Sequence, residues 1–306
     1  MTQVTLIAGG VGGAKMAEGF DMCKDVELSI IGNIADDDEF HGLWVSPDID
    51  TIIYTLSGKI NRTQGWGVSD ESHRALDVLK ELGKETWMFL GDRDFGLHIY
   101  RTERLKNGDR PSTITHDISK SFGITPKINL PTDDTVQTRV RTNQGWQTFQ
   151  EYFVRDKCVP EVLELKYEGL FEASITPEAE SCIDNAELIV FAPSNPLVSI
   201  SPIIEIPGLK KALKNTMAPI IAVSPLINGK VIKGPADKML TSLGHRSDVL
   251  GIAQYYEDII SHLVIDKKDS DFSSSISSFG INPYTTDILM RDNIGKERLA
   301  RKILEI

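Results

Sequence analysis

The chain has 306 residues, 41% hydrophobic and 25% charged, with 33 basic against 44 acidic side chains for a net charge of −11. This acidic balance argues against nucleic acid or an anionic membrane as the main partner, because both select a basic field. No apolar run approaches the ~18 residues of a membrane helix, and Cys23, Cys158 and Cys182 form neither a disulfide framework nor a paired metal motif. The N-terminus enters a strand-like run with no leader pattern, so a cytoplasmic location is the expectation.

In chain order, Val4-Thr5-Leu6-Ile7-Ala8 is an apolar run too short for a helix, followed by Gly9-Gly10-Val11-Gly12-Gly13-Ala14-Lys15 and a helical pattern through Phe20. A strand, a glycine turn and a helix N-terminus expose backbone amides and a positive dipole end to an anion. The spacing is neither a Walker A loop nor the GxGxxG dinucleotide fingerprint. Gly9, Gly10, Gly12 and Gly13 favour phosphate approach over a plain tight turn. A second run, residues 26–31, enters GNIADDDEFHGLWVSPDIDT at 32–51, where Asp36, Asp37, Asp38, Glu39, Asp48 and Asp50 have no Lys or Arg among them. Such carboxylates either surround a cation, Mg²⁺ with a phosphorylated substrate being the commonest, or form a solvated acidic loop.

Residues 69–82 carry acids in their first turn, an apolar side and Gly83 at the end, which predicts a helix. Trp87-Met88-Phe89-Leu90 reads as a strand entering Gly91-Asp92-Arg93-Asp94. Alternation over 135–142, a turn at Asn143-Gln144-Gly145 and residues 148–154 predict a β-hairpin, and so a smaller subdomain over 111–180. Residues 187–192 run into Pro193-Ser194-Asn195-Pro196, and 219–223 into Ser224-Pro225. Residues 203–213 and 247–263 read as helical, and 270–278 as a polar connection. Continuous apolar strands separated by helices indicate a parallel sheet buried on both faces, with ligands beyond the strands' carboxyl ends. Five strand ends, each followed by Gly, Asp, Arg, Ser, Asn or Pro, therefore describe one mouth.

Read with these elements, the chain resembles the 2-phospho-L-lactate transferases, the CofD family of deazaflavin coenzyme synthesis. The matching blocks include GGVGGAK at 9–15, SPDIDTIIYTLSG at 46–58, GWGVSDES at 65–72, LGDRDFGLHIYRT at 90–102, LPTDDTVQTRV at 130–140, APSNPLVSISPI at 192–203 and AVSPLINGKVIKGPADKML at 222–240. The resemblance implies an α/β, Rossmann-like parallel sheet with helices on both faces and a smaller mixed α/β subdomain. The core would be built from 1–110 and 181–306, the subdomain from 111–180. It implies Mg²⁺-dependent transfer of a phospholactyl or phosphoenolpyruvyl group from a guanosine diphosphate conjugate to the ribityl hydroxyl of 7,8-didemethyl-8-hydroxy-5-deazariboflavin, releasing GMP, in a homodimer.

On that reading Asp50, with Asp48 beside it, contacts the hydroxyl, holds Mg²⁺, or does both. The two project to one side if the stretch is extended; alternatively, one caps a helix beginning near Thr51. Asp36 joins Asp48 and Asp50 as the expected metal set. Arg93 binds a phosphate or the deazaflavin, or else pairs internally with Asp92 or Asp94. The Gly9–Gly13 amides hold the diphosphate, Ser194, Asn195 and Ser224 line the nucleotide side, and Lys233 is a candidate phosphate contact. Trp44 and Trp66 are candidates for stacking on the ring, and Asp133-Asp134 shape a turn. The rival reading is a nucleotide-sugar-binding regulator of the same superfamily, without transfer.

Overall fold

The computed structural model describes residues 1–306. Seven strands form its central sheet: β1 (Thr2–Ala8), β2 (Val26–Gly32), β3 (Lys127–Asn129), β4 (Leu188–Phe191), β5 (Ile220–Val223), β6 (His262–Asp266) and β7 (Asn282–Thr286). Their order across the sheet is β7-β6-β5-β4-β1-β2-β3, and every pairing is parallel. Strand order therefore reverses between β1 and β4, the position where open α/β sheets bind their ligands.

Side chains alternate along each strand, and the two faces feed two cores. Leu6, Ile30 and Val190 point into one, shared with α1 (Gly10–Asp21), α2 (Pro47–Leu56), α5 (Pro111–Ser121) and α9 (Asn293–Leu304). Ile7, Ile31, Ile189 and Phe191 point into the other, shared with α6 (Pro177–Asp184), α7 (Pro207–Asn215) and α8 (Val249–Tyr256). Each is a continuous buried cluster, which is why β4 and β5 read as unbroken apolar runs, whereas β2 keeps Glu27 and Ser29 at half-buried positions. Two further helices, α3 (Arg74–Glu81) and α4 (Asp92–Lys106), flank the acidic segment.

The small antiparallel sheet pairs Gln137–Thr142 with Gly145–Thr148 and with Glu164–Glu168. Its apolar side, including Val140, Phe149 and Tyr152, joins the second core. The segment 111–180 is thus not wholly separate: Lys127–Asn129 completes the edge of the central sheet, and the small sheet begins only at Gln137.

Several element expectations are corrected: the helix expected over 69–82 starts only at Arg74, leaving Asp70 and Glu71 outside its first turn, and residues 270–278, expected as a polar connection, are mostly helical. Trp87–Leu90 is not a strand; Trp87, Met88 and Leu90 pack instead against a small cluster with Phe40, Val45, Leu76 and Phe95. The helix expected over 247–263 stops at Tyr256, and its last residues open strand β6. Residues 151–155, expected to continue the hairpin, form one helical turn. Residues 87–90 and 151–155 are short runs in which periodicity does not separate strand from helix or packed coil.

Candidate active site

The glycine turn follows β1, and its glycines are fitted to protein neighbours. A Cβ at Gly12 would lie 2.2 Å from the Pro193 carbonyl oxygen, and one at Gly13 would lie 2.8 Å from the Ala8 Cβ. At Gly9 a Cβ would meet the Asp48 carboxylate at 2.7 Å and Ser199 at 2.8 Å. Gly10 alone takes a left-handed φ of 61°, with nothing nearer its open side than Asp48 Oδ1 at 3.8 Å. Three of the four glycines therefore let β1, α1 and the loop after β4 pack closely, and Gly10 faces the mouth.

At the end of β2, Asn33 is fully buried. Its amide donates to Asp48 Oδ2 at 2.9 Å and to the Val198 carbonyl at 3.2 Å, while its Oδ1 accepts from the Ala35 amide at 3.1 Å. One side chain thus ties β2, α2 and the loop after β4 together. Asp36 and Asp37 turn inward and are buried; Asp38 and Glu39 turn outward. The small sheet grips this loop from above: Gln137 donates to the Asp37 carbonyl at 2.8 Å and Gln150 to the Asp36 carbonyl at 3.3 Å.

Asp48 and Asp50 do not share a side. Pro47 opens α2, so both acids lie in its first helical turn, where residues two apart diverge. Asp48 faces Asn33 and Gly9. Asp50 faces α4, where Arg101 grips both of its oxygens, Nη1 to Oδ2 at 3.1 Å and Nη2 to Oδ1. His98 Nδ1 stands 3.2 Å from Arg101 Nη1 and 3.7 Å from Asp50 Oδ2. A guanidinium only donates, so Nδ1 is the unprotonated, accepting nitrogen of His98 and Nε2 carries the hydrogen. Burial lowers His98 to about 4, with Asp50 opposing and Arg101 adding, so this imidazole is neutral at pH 7.

Four buried carboxylates, of Asp36, Asp37, Asp48 and Asp50, thus have one buried guanidinium among them, which contacts Asp50 and lies close enough for its charge to act on Asp37. Burial, then the charges of Asp48 and Asp37, hold Asp36 well above the usual carboxylate range. Burial likewise raises Asp37, against hydrogen bonding from Ser46 and the Arg101 charge. Asp48 is pushed up to about 6 by burial, opposed by bonds from Asn33 and the Gly10 amide. Asp36 Oδ1 and Asp37 Oδ1 have no hydrogen-bond partner. Orphaned buried carboxylate oxygens are costly unless protonated or met by a cation, and hard oxygen donors suit Mg²⁺. No three His, Cys, Asp or Glu groups are gathered where they could hold a metal ion by themselves. With Asp50 engaged by Arg101, Asp36, Asp37 and Asp48 are the carboxylates that could hold such an ion.

The remaining predicted residues lie as follows. Arg93, at the start of α4, is exposed and donates to the Ser69 carbonyl at 3.0 Å. It pairs with neither Asp92, which binds Ser72 Oγ at 2.5 Å and the Ala75 amide at 3.0 Å, nor Asp94, which accepts from the Gly91 amide at 3.3 Å. Ser194 Oγ donates to the Gly9 carbonyl at 2.6 Å, fastening the loop after β4 to the glycine turn. Asn195 Oδ1 caps the turn after it through the Leu197 amide at 3.0 Å. Ser224 is fully buried, its hydroxyl spent on the Leu226 amide and carbonyl, so it shapes a turn rather than lining the mouth. Lys233 donates to the Gln64 carbonyl across the mouth; burial and the charge of Lys15 lower its pKa. Asn33, His98 and Arg101 were not singled out from sequence, although the i, i+3 spacing of His98 and Arg101 beside the GDRD block places both on one helical face.

Comparison with known proteins places the chain among transferases. The family model described as 2-phospho-L-lactate transferase CofD matches residues 4–303. A 2-phospho-L-lactate transferase of Methanococcoides burtonii is 34% identical over 302 residues, covering 98% of this chain and 98% of its own. A phosphoenolpyruvate transferase of Streptomyces griseus is 32% identical over 311 residues, covering 99% of this chain and 98% of its own. The solved structure of BH3568 from Bacillus halodurans shares the fold at a TM-score of 0.66, with 14% identity and 99% of each chain covered.

Proposed function

Because this chain belongs to the 2-phospho-L-lactate transferase CofD family, we propose that it transfers a phospholactyl or phosphoenolpyruvyl group from a guanosine diphosphate conjugate to the ribityl hydroxyl of the deazaflavin, releasing GMP, in the synthesis of coenzyme F-420. It is a transferase of phosphate-linked groups. No helix is long and apolar enough to cross a membrane. The reading extends to a cytoplasmic homodimer.

The observation that carries the proposal is the set of buried carboxylates with unpaired oxygens, set beside the glycine turn where strand order reverses. A phosphoryl transfer needs an attacking hydroxyl placed in line, neutralisation of the diphosphate, and a group that takes the hydroxyl proton. Asp48, raised to about 6, is ionised at neutral pH yet basic enough for that last role. In this reading its carboxylate accepts the hydroxyl proton as the hydroxyl oxygen bonds to phosphorus and the bond to the GMP oxygen breaks. Gly10 and the first amides of α1 receive the diphosphate. Arg93 offers a planar fork to a phosphate or to the deazaflavin. Asp50 acts through Arg101: the pair fixes α2 against α4 and so sets the position of Asp48. Asp36, together with substrate phosphate oxygens, would hold Mg²⁺, which when bound supplies charge neutralisation at the transferring phosphate and leaves Asp48 free to take the proton.

The test is incubation with the deazaflavin, Mg²⁺ and each donor in turn, with product and GMP followed by mass. Product accompanied by an equal amount of GMP is expected with one donor. Tight UDP-sugar binding with no turnover on either donor overturns the proposal.

A further inference from the structure

The loop between α2 and α3 is closed on itself. Ile60 and Val68 are buried and bridge at its base, the Asn61 amide donates to the Gly67 carbonyl at 2.9 Å, and the Gly65 amide to the Asn61 carbonyl at 2.7 Å. Asn61 Oδ1 takes the amides of Thr63 and Gln64 at 3.1 and 3.2 Å. At the tip, Gly65 has a left-handed φ of 76°, and a Cβ there would lie 3.2 Å from Val11 Cγ1 in the first turn of α1.

The near end is fastened further down the same helix. Arg62 forks onto Glu18, Nη1 to Oε2 at 2.9 Å and Nη2 to Oε1 at 2.7 Å. Val11, Lys15 and Glu18 recur at helical spacing and share one face of α1. Residues 61–67 therefore lie along that face, tip toward the glycine turn and shank at Glu18. Glu18 is itself fixed from behind by Lys296 of α9, Nζ to Oε2 at 2.5 Å, with Lys296 buried and also bound to Asn293 Oδ1 at 3.1 Å. From the opposite lip Lys233 holds the Gln64 carbonyl.

We infer that Arg62, locked by the Glu18–Lys296 pair, is a positioning residue for donor binding, holding residues 61–67 as a strap whose tip closes over the first turn of α1. The inference rests on the transferase reading, since the strap borders the turn assigned there to the diphosphate. Arg62 touches no reacting atom; it limits the conformations the loop must lose when donor binds.

The test uses the full chain carrying Arg62→Gln, which leaves the buried Glu18–Lys296 pair intact and so spares the fold. Hydrogen exchange should show faster exchange of the 61–67 amides, with β1 and α1 unchanged. The KM for the guanosine diphosphate conjugate should rise a few-fold, the cost of ordering a loop that is no longer pre-set, with kcat and the KM for deazaflavin unaltered. Arg62→Lys should recover most of the affinity. Unchanged exchange at 61–67, an unchanged donor KM, or an equal rise in both KM values overturns the inference. Absence of turnover in the unaltered protein with either donor counts against the transferase reading instead, and the exchange experiment still reports on the strap.

Discussion

At the scale of single residues, the Asp50–Arg101 pair changes what a substitution at Asp50 would mean. Removing one partner of a buried ion pair leaves the other uncompensated, at a cost of roughly 3–5 kcal/mol. Asp50→Asn should therefore lower both turnover and stability, and urea unfolding would reveal the second effect; full activity with unaltered stability contradicts the assignment. His98 gives a test by pH. Its folded-state value of about 4 lies below the ordinary 6.5, so between those values the unfolded chain binds a proton that the folded one does not. Stability from this group is complete above pH 6.5 and is lost as pH falls toward 4, amounting to about 3 kcal/mol. Asp48 runs the other way: its raised value means the folded state keeps a proton that the unfolded chain releases, so its contribution falls as pH rises toward 6. Comparison with His98→Gln, which keeps an acceptor for Arg101, isolates the histidine. The unaltered protein should lose about 3 kcal/mol more than the variant between pH 7 and pH 4, measured by denaturant unfolding at each pH. These residue pairings were largely hidden in the sequence, because Asp50 and Arg101 are 51 positions apart and only folding places α2 against α4.

At the scale of elements, β1, β2, β4 and β5 were legible as short apolar runs, since a strand covered on both faces carries no polar alternation. The glycine turn was legible too, but its physical reason was only partly so. A cluster of glycines signals close approach without saying whether a ligand or another backbone approaches. Here the Pro193 carbonyl and the Ala8 side chain occupy the space beside Gly12 and Gly13. Gly12→Ala should consequently shift the loop after β4 and destabilise the fold by about 1–3 kcal/mol, the range for overpacking a tight site. Thermal unfolding checks this, and a variant as stable as the parent would show that the loop yields freely. The first turn of α2 departs from expectation for a different reason. The residue pattern alone allows Asp48 and Asp50 as an extended pair or as a cap near Thr51, whereas Pro47 at the first helical position signals an earlier start.

At the scale of the whole molecule, the parallel sheet was legible but its completion was not. Strands β3 and β6 hide in segments dominated by other patterns, and β7, Asn282-Pro283-Tyr284-Thr285-Thr286, is polar enough to pass for a loop. The small sheet was recognised by its hairpin, yet its use became visible only in three dimensions, where Gln137 and Gln150 hold the backbone of the acidic loop. The burial of Lys296 against Glu18 has a further consequence, for synthesis of the chain. Helix α1 leaves the ribosome long before α9, so Glu18 waits for its buried partner across 278 positions. The centre of the sheet waits as well, because β1 cannot pair with β4 until more than half of the chain has emerged. Such distant pairings make folding slow and leave apolar strands uncovered during translation. A chain ending at Asp292 should accumulate as an aggregation-prone species, measured by sedimentation of the newly made protein, while the full-length chain stays in the supernatant. Emergence of α9 thus sets the earliest moment at which Glu18 and Lys296 can pair in the nascent polypeptide.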